Sequence, residues 1–292
     1  MKFAVLGPKE TEAGYSTKRI LEEARKDFKE VKLIPAIHVR LKTDKKGLHA
    51  LYEKDALEEY DYILPRIDSK RAQVGYPIMR FLDHLGVRKP YVSETILIAH
   101  NKFLTLEQLA KHKIPIPETY LTSSRESAKK IMEKVKLPAV IKLLSGFGGE
   151  GVLMVDSKEA FKSIIETMKI LKQEMLIEEY VPNPGEDIRG IMAGDEIIAS
   201  YKRIAPPGEK KANIHMGGRA VSYKLTGEME DIIFKSGEAI KSKLCAIDMI
   251  VGDKGPQVIE VNINFGLKAI EKTTDINVAR RIIEFVKDEV KK

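Results

Sequence analysis

An α/β fold with α+β character follows from three observations on the 292-residue sequence. Short apolar runs alternate with helix-spaced apolar residues up to about residue 95. Two strand-like runs, Ala139–Leu143 and Val152–Val155, flank a glycine-rich turn. The chain then closes on an apolar hairpin that carries acidic side chains.

The elements follow in order. Residues 3–6 are apolar and predict a first strand. Ser16 offers a hydroxyl to cap a helix with Ile20, Leu21, Ala24 and Phe28 on one face. Residues 31–34 and 62–64 predict two more strands, the latter running into Pro65-Arg66. Residues 76–85 have helical spacing and stop at Gly86, which tolerates the left-handed conformation of a helix end. These elements define a small α/β domain, residues 1–95, with a parallel sheet. A second segment, 96–174, opens at Asn101-Lys102 with a helix through Leu104, Leu106, Leu109 and Ala110, stopped near Pro115 and Pro117. Ser123 and Glu126 have capping-box spacing before a helix ending near Val135. A third segment, 175–292, contains a hairpin over residues 191–201 around Gly194-Asp195. It ends in a helix with Val278, Ile282, Ile283 and Val286 on one face.

Composition narrows the class. No apolar run reaches the roughly 18–20 residues of a membrane span. The start, Met1-Lys2-Phe3-Ala4-Val5-Leu6-Gly7, is too short for a secretory apolar region and reads as strand. A single cysteine, Cys245, rules out an intrachain disulfide framework and fits a reducing cytoplasm. It sits in the apolar run Leu244-Cys245-Ala246-Ile247, the setting of a buried structural thiol. The net charge of +7 comes from 50 basic and 43 acidic residues. They are interspersed, so a solvated surface fits better than a nucleic-acid patch. Abundant Lys and Glu without Trp hint at a thermophile.

Two motifs carry chemistry. Ser145-Gly146-Phe147-Gly148-Gly149-Glu150-Gly151 spells G-x-G-x-x-G, but a dinucleotide site needs a helix after it, and Val152–Val155 is another strand. No Lys-Ser or Lys-Thr follows, so it is not a Walker loop. A strand–glycine loop–strand hairpin can instead fold over a triphosphate with its backbone N–H groups. Protein kinases do so with a lysine after the loop; here Lys142 precedes it, and H-R-D and D-F-G are missing. Alone, Lys142 reads equally as an edge-strand surface lysine; beside the loop it reads as a phosphate contact. The second motif is Gln257-Val258-Ile259-Glu260-Val261-Asn262, with Asp248 twelve residues before Glu260. Glu260 and Asn262 project from one face of a strand, and a turn at Gly252-Asp253-Lys254-Gly255 brings Asp248 to them. Such hard oxygen ligands suit magnesium, which takes its remaining ligands from phosphate and water. Together the motifs predict a nucleotide site.

The ordered set resembles the ATP-grasp superfamily, and more closely the RimK-like carboxylate–amine ligases, over nearly the whole chain. It includes Leu64-Pro65-Arg66-Ile67, Asn101-Lys102-Phe103-Leu104, Val140-Ile141-Lys142-Leu143, Ile177-Glu178-Glu179-Tyr180-Val181 and Asp187-Ile188-Arg189. It continues through Asn213-Ile214-His215-Met216-Gly217-Gly218, Glu260-Val261-Asn262, Gly266-Leu267 and Ile270-Glu271-Lys272-Thr273-Thr274. The resemblance implies a Rossmann-like pre-ATP-grasp domain (1–95), a small lobe with the glycine loop (96–174) and a C-terminal lobe with the metal site (175–292), ATP lying between the lobes.

The same resemblance implies roles. Lys102, Lys142 and the loop glycines Gly146, Gly148, Gly149 and Gly151 would hold the phosphates. Glu179 and Tyr180 would hold adenine through backbone, Asp187 the ribose, and Lys211 and Asn213 ATP near its phosphates. Asp248, Glu260 and Asn262 resemble ligands of two magnesium (or manganese) ions. Arg203, Gly217 and Gly218 would face the reacting carboxylate; Arg189 reads as a substrate-carboxylate clamp, and Arg66 lies where relatives hold the acceptor. His215 is readable as a general base or as a structural histidine.

Three departures lie near the acceptor side: Ile263-Asn264-Phe265 replaces a small residue and proline, Ile204 the second of an arginine pair, and Ala212 a hydroxyl residue. The expected function is an ATP-dependent, ADP-forming ligase making an amide through an acylphosphate. It would add an amino acid such as L-glutamate to an anionic coenzyme, in the cytoplasm, as a homo-oligomer. Modification of a protein C-terminus or carrier protein is the alternative within the chemistry. A nucleotide-dependent regulatory or nucleic-acid-binding protein without turnover is the alternative from another class.

Overall fold

The structure, a computed structural model, describes residues 1–144, 151–170, 173–206 and 218–292. The N-terminal sheet is parallel, in the order β2-β1-β6, built from β1 (Lys2–Gly7), β2 (Glu30–Pro35) and β6 (Tyr62–Pro65). Phe3 lies opposite both Val31 and Tyr62. Such strands are covered on both faces, which is why β1 is almost wholly apolar and buried. The helices α1 (Tyr15–Ala24) and α2 (Ala72–His84) belong to this domain, and α2 ends near Gly86 at φ +68°. Two expectations change here. Ser16 does not cap α1; Gly14 holds that position, and the Ser16 hydroxyl accepts a hydrogen bond from the Leu267 N–H at 2.9 Å. Phe28 lies beyond the helix, though buried.

Between β2 and β6 the chain forms an antiparallel sheet that the sequence reading did not foresee, with strands β3 (Arg40–Asp44), β4 (Gly47–Tyr52) and β5 (Asp55–Ala56). Charged residues crowd β3, which is largely exposed, so no buried alternation marks it. A short helix, α3 (Ser93–Ala99), also went unforeseen. It leads into α4 (Lys102–Lys111), whose cap is Asn101, accepting from the N–H groups of Phe103 and Leu104.

The second sheet is antiparallel, β7-β10-β8-β9, from β7 (Thr119–Thr122), β8 (Ala139–Leu143), β9 (Val152–Val155) and β10 (Met175–Glu179). Its inner face packs Ile141, Val155, Met175 and Ile177 against Ala128 of α5 (Arg125–Lys134) and Phe161 and Ile165 of α6 (Lys158–Ile170). Ser124, not Ser123, caps α5 by accepting from the Ser127 N–H, a slip of one residue along a serine pair. Strand β10 sits between β7 and β8, so it is hydrogen-bonded within the small-lobe sheet.

The third sheet, β13-β12-β11-β14-β15, is also antiparallel. Its strands are β11 (Glu186–Ala193), β12 (Glu196–Ile204), β13 (Arg219–Ser222), β14 (Leu244–Gly252) and β15 (Gly255–Asn262). The β11–β12 turn falls at Gly194, φ +61°, as the sequence predicts. One face buries Ile188, Met192, Cys245, Ile247, Met249, Val258 and Val261 with Met229 and Ile233 of α7 (Gly227–Ala239). On the other face Ile191, Ala199, Leu244 and Ala246 share a core with Val278, Ile282 and Val286 of α9 (Val278–Lys291) and Ile270 of α8 (Lys268–Thr274). The same core takes in Phe3, Val5, Ile20 and Leu64 of the N-terminal domain. At roughly 1.5–3 kcal/mol per fully buried large apolar side chain, this shared core fuses the N-terminal domain to the third sheet. The second sheet with its helices has a separate core.

Cys245 is buried, and burial pushes its thiol up to about 12. Near pH 8 the thiolate fraction is then roughly 10⁻⁴, and the thiolate is the reactive species. An aromatic disulfide reagent is expected to leave the folded protein unmodified and to titrate one thiol in guanidinium; rapid native reaction would contradict the packing. No helix of the described residues is long and apolar enough to cross a membrane.

Candidate active site

The acidic hairpin forms as the sequence predicts, with one addition. In the β14–β15 pair Asp248 lies opposite Glu260, and Ala246 opposite Asn262. Strict alternation would then place Val258 on the same face as Glu260. A register shift after Asp248 prevents this by pairing Val258 with Met249 and leaving Ile259 as the extra residue. Val258 therefore stays in the core while Glu260 and Asn262 face the opposite side with Asp248.

On that face the charges alternate between neighbouring strands. Arg189 lies directly opposite Asp248, and Asp187 opposite Arg203. Arg189 grips Asp248 with both arms of its fork: Nε donates to Oδ1 and Nη2 to Oδ2, each at 2.5 Å. Arg203 Nε donates to Asp187 Oδ1, and its Nη2 lies 3.0 Å from Asp248 Oδ2. Asn262 Nδ2 makes a long contact of 3.4 Å to the same Oδ2. Burial alone would push Asp248 up, but Arg189 and Arg203 more than offset it and hold the carboxyl below its ordinary value. For Asp187 burial wins: it pushes the carboxyl up, helped by the Asp248 charge, and Arg203 and the more distant Arg189 do not offset it.

Two lysines, Lys102 and Lys142, are also expected here. Burial lowers the Lys102 ammonium below its ordinary value, Glu260 draws it back up, and Lys142 pushes it down. Lys102 lines one cleft together with Glu260 and Asn262. Lys142 donates to Glu178 Oε1 at 2.6 Å. The other oxygen of Glu178 is buried without a partner in the structure. Sequence reasoning passed over Glu178 in favour of its neighbour Glu179. Lys142 and Glu178 become diagonal neighbours only through the β8–β10 register, which pairs Lys142 with Leu176 and Val140 with Glu178.

A cleft of about 510 Å³ opens beside these groups, lined by Asp68, Lys70, His100, Lys102, Glu260 and Asn262, among others. His100 and Lys70 were not singled out from the sequence. Burial lowers the His100 imidazole, whose Nε2 lies 3.1 Å from the Ile67 carbonyl. A larger cleft of about 1170 Å³ runs beside α9 and the Gly194 turn, away from all the predicted site residues.

The remaining predicted residues are placed unevenly. Glu179 reaches towards Lys254 in the β14–β15 turn at 3.6 Å, and Tyr180 follows β10 directly. Gly151 closes the β8–β9 hairpin at φ +72°, its carbonyl accepting from the Leu143 N–H at 2.9 Å. A Cβ at Gly151 would meet Leu143 as well as strain the backbone. Gly218 lies just before β13. Gly146, Gly148, Gly149, Lys211, Asn213, His215 and Gly217 lie outside the described residues. Arg66 is buried; its Nη2 donates to the Phe265 carbonyl at 2.9 Å, its Nε has no partner in the structure, and burial lowers the group to about 10. It thus grips the segment after Asn262 in which the family pattern breaks.

The donor set can be tested against a divalent cation. Among the described residues no three His, Cys, Asp or Glu side chains gather as a metal cluster. Asp248, Glu260 and an amide at Asn262 do share one face, and two carboxylates plus phosphate oxygens are a fitting set for Mg²⁺, which needs few protein ligands. The residues fit the group.

Comparisons with known proteins bear on the family and the fold. Residues 99–286 match the family model of the RimK-like ATP-grasp domain, and residues 1–96 that of the RimK pre-ATP-grasp domain. A probable alpha-L-glutamate ligase of Legionella pneumophila (strain Corby) is 33% identical over 280 residues, covering 95% of this chain and 93% of the relative. The fold is similar to that of the ATP-grasp ligase PsnB complexed with a phosphomimetic variant of its minimal precursor, Mg and ADP. There the TM-score is 0.78 at 13% identity, with 99% and 98% of the two chains covered. A D-alanine–D-alanine ligase from Bacillus anthracis complexed with ATP gives a TM-score of 0.69 at 18% identity, covering 99% and 97%.

Proposed function

The chain belongs to the RimK-like ATP-grasp family and is an ATP-dependent ligase, and on that premise we propose that it joins L-glutamate or a similar amino acid to a carboxylate-bearing acceptor. The observation that carries this reading is the cleft that Lys102 lines together with Glu260 and Asn262, two residues on the strand face they share with Asp248. An ammonium beside carboxylate and amide oxygens suits a triphosphate delivered with its metal.

In the proposed reaction ATP phosphorylates the acceptor carboxylate, the amino acid's amine attacks the acylphosphate, and phosphate leaves. Lys102 and Lys142 orient and neutralise the phosphates. Lys142 must first leave Glu178, whose carboxylate is then free to accept a hydrogen bond from the nucleotide. Asp248, Glu260 and Asn262 would hold Mg²⁺ or Mn²⁺, two ions in the fuller reading, and the metal supplies charge neutralisation on the phosphoryl oxygens. In this reading Arg203 and Arg189 would face the oxyanion that forms when the amine adds. The hairpin of β8 and β9 closes over the site and keeps water from the acylphosphate. No nucleophilic side chain is required.

An anionic coenzyme is the preferred acceptor, since the chain carries +7 and Lys70 of the N-terminal domain lines the cleft. The basic balance and the lone buried thiol fit a cytoplasmic enzyme, and a homo-oligomer is part of the reading. The domain division is 1–95, 96–174 and 175–292, with β10 shared in hydrogen bonding with the small lobe. The test is a panel of amino acids and acceptors scored by ADP release and product mass. ADP formation that requires both an amino acid and an acceptor is the expected result. ATP binding with no acceptor-dependent turnover across the panel would favour a regulatory nucleotide-binding protein.

A further inference from the structure

Asp248 has no oxygen left to give. Both are taken by Arg189, and Oδ2 is also approached by Arg203 and Asn262. The Asp248 side chain is only 2% exposed whereas that of Arg189 is 12%, so the arginine is the more accessible member of the pair. The four buried groups Arg189, Arg203, Asp187 and Asp248 sum to zero charge, and Lys102 stands by Glu260 as a further opposite charge. The site is electrically complete without ligands. A divalent cation entering alone would face two guanidinium groups and an ammonium.

We propose that Arg189, supported by Arg203, is an internal stand-in for the metal: it neutralises Asp248 in the ligand-free protein and yields that carboxylate when nucleotide and cation arrive together. The proposal rests on the reading of Asp248 as a metal ligand. It follows from charge balance: the anionic nucleotide gives the displaced guanidinium a new partner, which a bare cation cannot do. The exchange makes metal binding depend on nucleotide. It also delivers Arg189 to the anionic substrate groups only when the phosphates are present, so the clamp assembles with its ligand. Bidentate arginine–carboxylate geometry gives the ligand-free state its definition. The cross-strand position of Arg189 opposite Asp248 gives the guanidinium a short path between the two partners.

The experiment measures Mn²⁺ binding by the paramagnetic signal of the free ion, with and without ADP, on the full chain. Wild type is expected to bind Mn²⁺ weakly alone and more tightly with ADP. Arg189→Gln is expected to bind Mn²⁺ without ADP about tenfold more tightly than wild type, the scale of one charge–charge contact. Its gap between the two conditions should shrink by a similar factor. Arg189→Lys keeps the charge but not the fork and should fall between them. Unchanged or weaker ADP-free affinity in Arg189→Gln overturns the exchange; if that variant does not fold, Arg189→Lys decides by the same criterion. Asp248→Asn separates the two levels. If it binds Mn²⁺ with ADP as wild type does, the metal reading fails and the exchange with it. If it binds weakly while the arginine variants show no tightening, the exchange alone is wrong.

Discussion

Glu260→Gln is expected to lose turnover by about 10²-fold or more while folding normally. The change keeps side-chain volume and removes one negative charge from the face shared with Asp248. Metal-assisted phosphoryl transfer draws several kcal/mol from the ion, and each 1.4 kcal/mol or so is tenfold in rate. Glu260 is half-buried at the edge of the cleft, so the melting temperature should hardly move. A second readout follows from the metal: without the Glu260 carboxylate the Mg²⁺ that accompanies the nucleotide is held less well. ADP affinity measured with Mg²⁺ should therefore fall along with turnover. Wild-type activity in this variant would remove Glu260 from the metal site.

Arg203→Met should cost stability as well as activity, by about 3–5 kcal/mol, because it leaves Asp187 buried without its guanidinium. The pH dependence has a definite sign. Burial already pushes the Asp187 carboxyl up, and losing Arg203 pushes it further. A carboxyl raised on folding loses stability as pH climbs from its ordinary value through the raised one. The penalty should be smallest in the ordinary carboxylate range and grow as pH rises above it, read by chemical denaturation across a pH series. Pairing Arg203→Met with Asp187→Leu should recover most of the stability, since apolar replacement of a buried ion pair is often neutral. It should recover no turnover. If the double variant regained activity, Arg203 would be only a structural partner of Asp187.

Part of this site could be read from sequence because its chemistry is local. The β8 and β9 strands come out at the residues predicted, and the Glu260–Asn262 pair needs only period-two alternation and a turn at Gly255. Capping was harder: Ser16 and Ser123 are sound cap residues, but the positions go to Gly14 and Ser124, because helix phase is set by which face packs. The β3–β4–β5 sheet and α3 gave little periodic signal, being short or largely exposed. Glu178 was missed because its partner Lys142 is distant in the chain and is brought alongside by strand register alone. The bulge at Ile259 escaped for a related reason: strict alternation puts Val258 outward, and only packing against α7 favours the shift.

Local sequence is enough for the parts: the single strands of the N-terminal sheet, a glycine turn after a strand lysine, and an acidic hairpin. Each depends on neighbours within about fifteen residues, where periodicity and turn chemistry act. Tertiary structure decided the partners. It set Arg189 against Asp248 and Arg203 against Asp187, gave Lys142 to Glu178, and bound Arg66 to the Phe265 carbonyl. Which charges meet depends on strand register and on the close packing of the sheets, and a buried charge must find its opposite wherever the fold provides it.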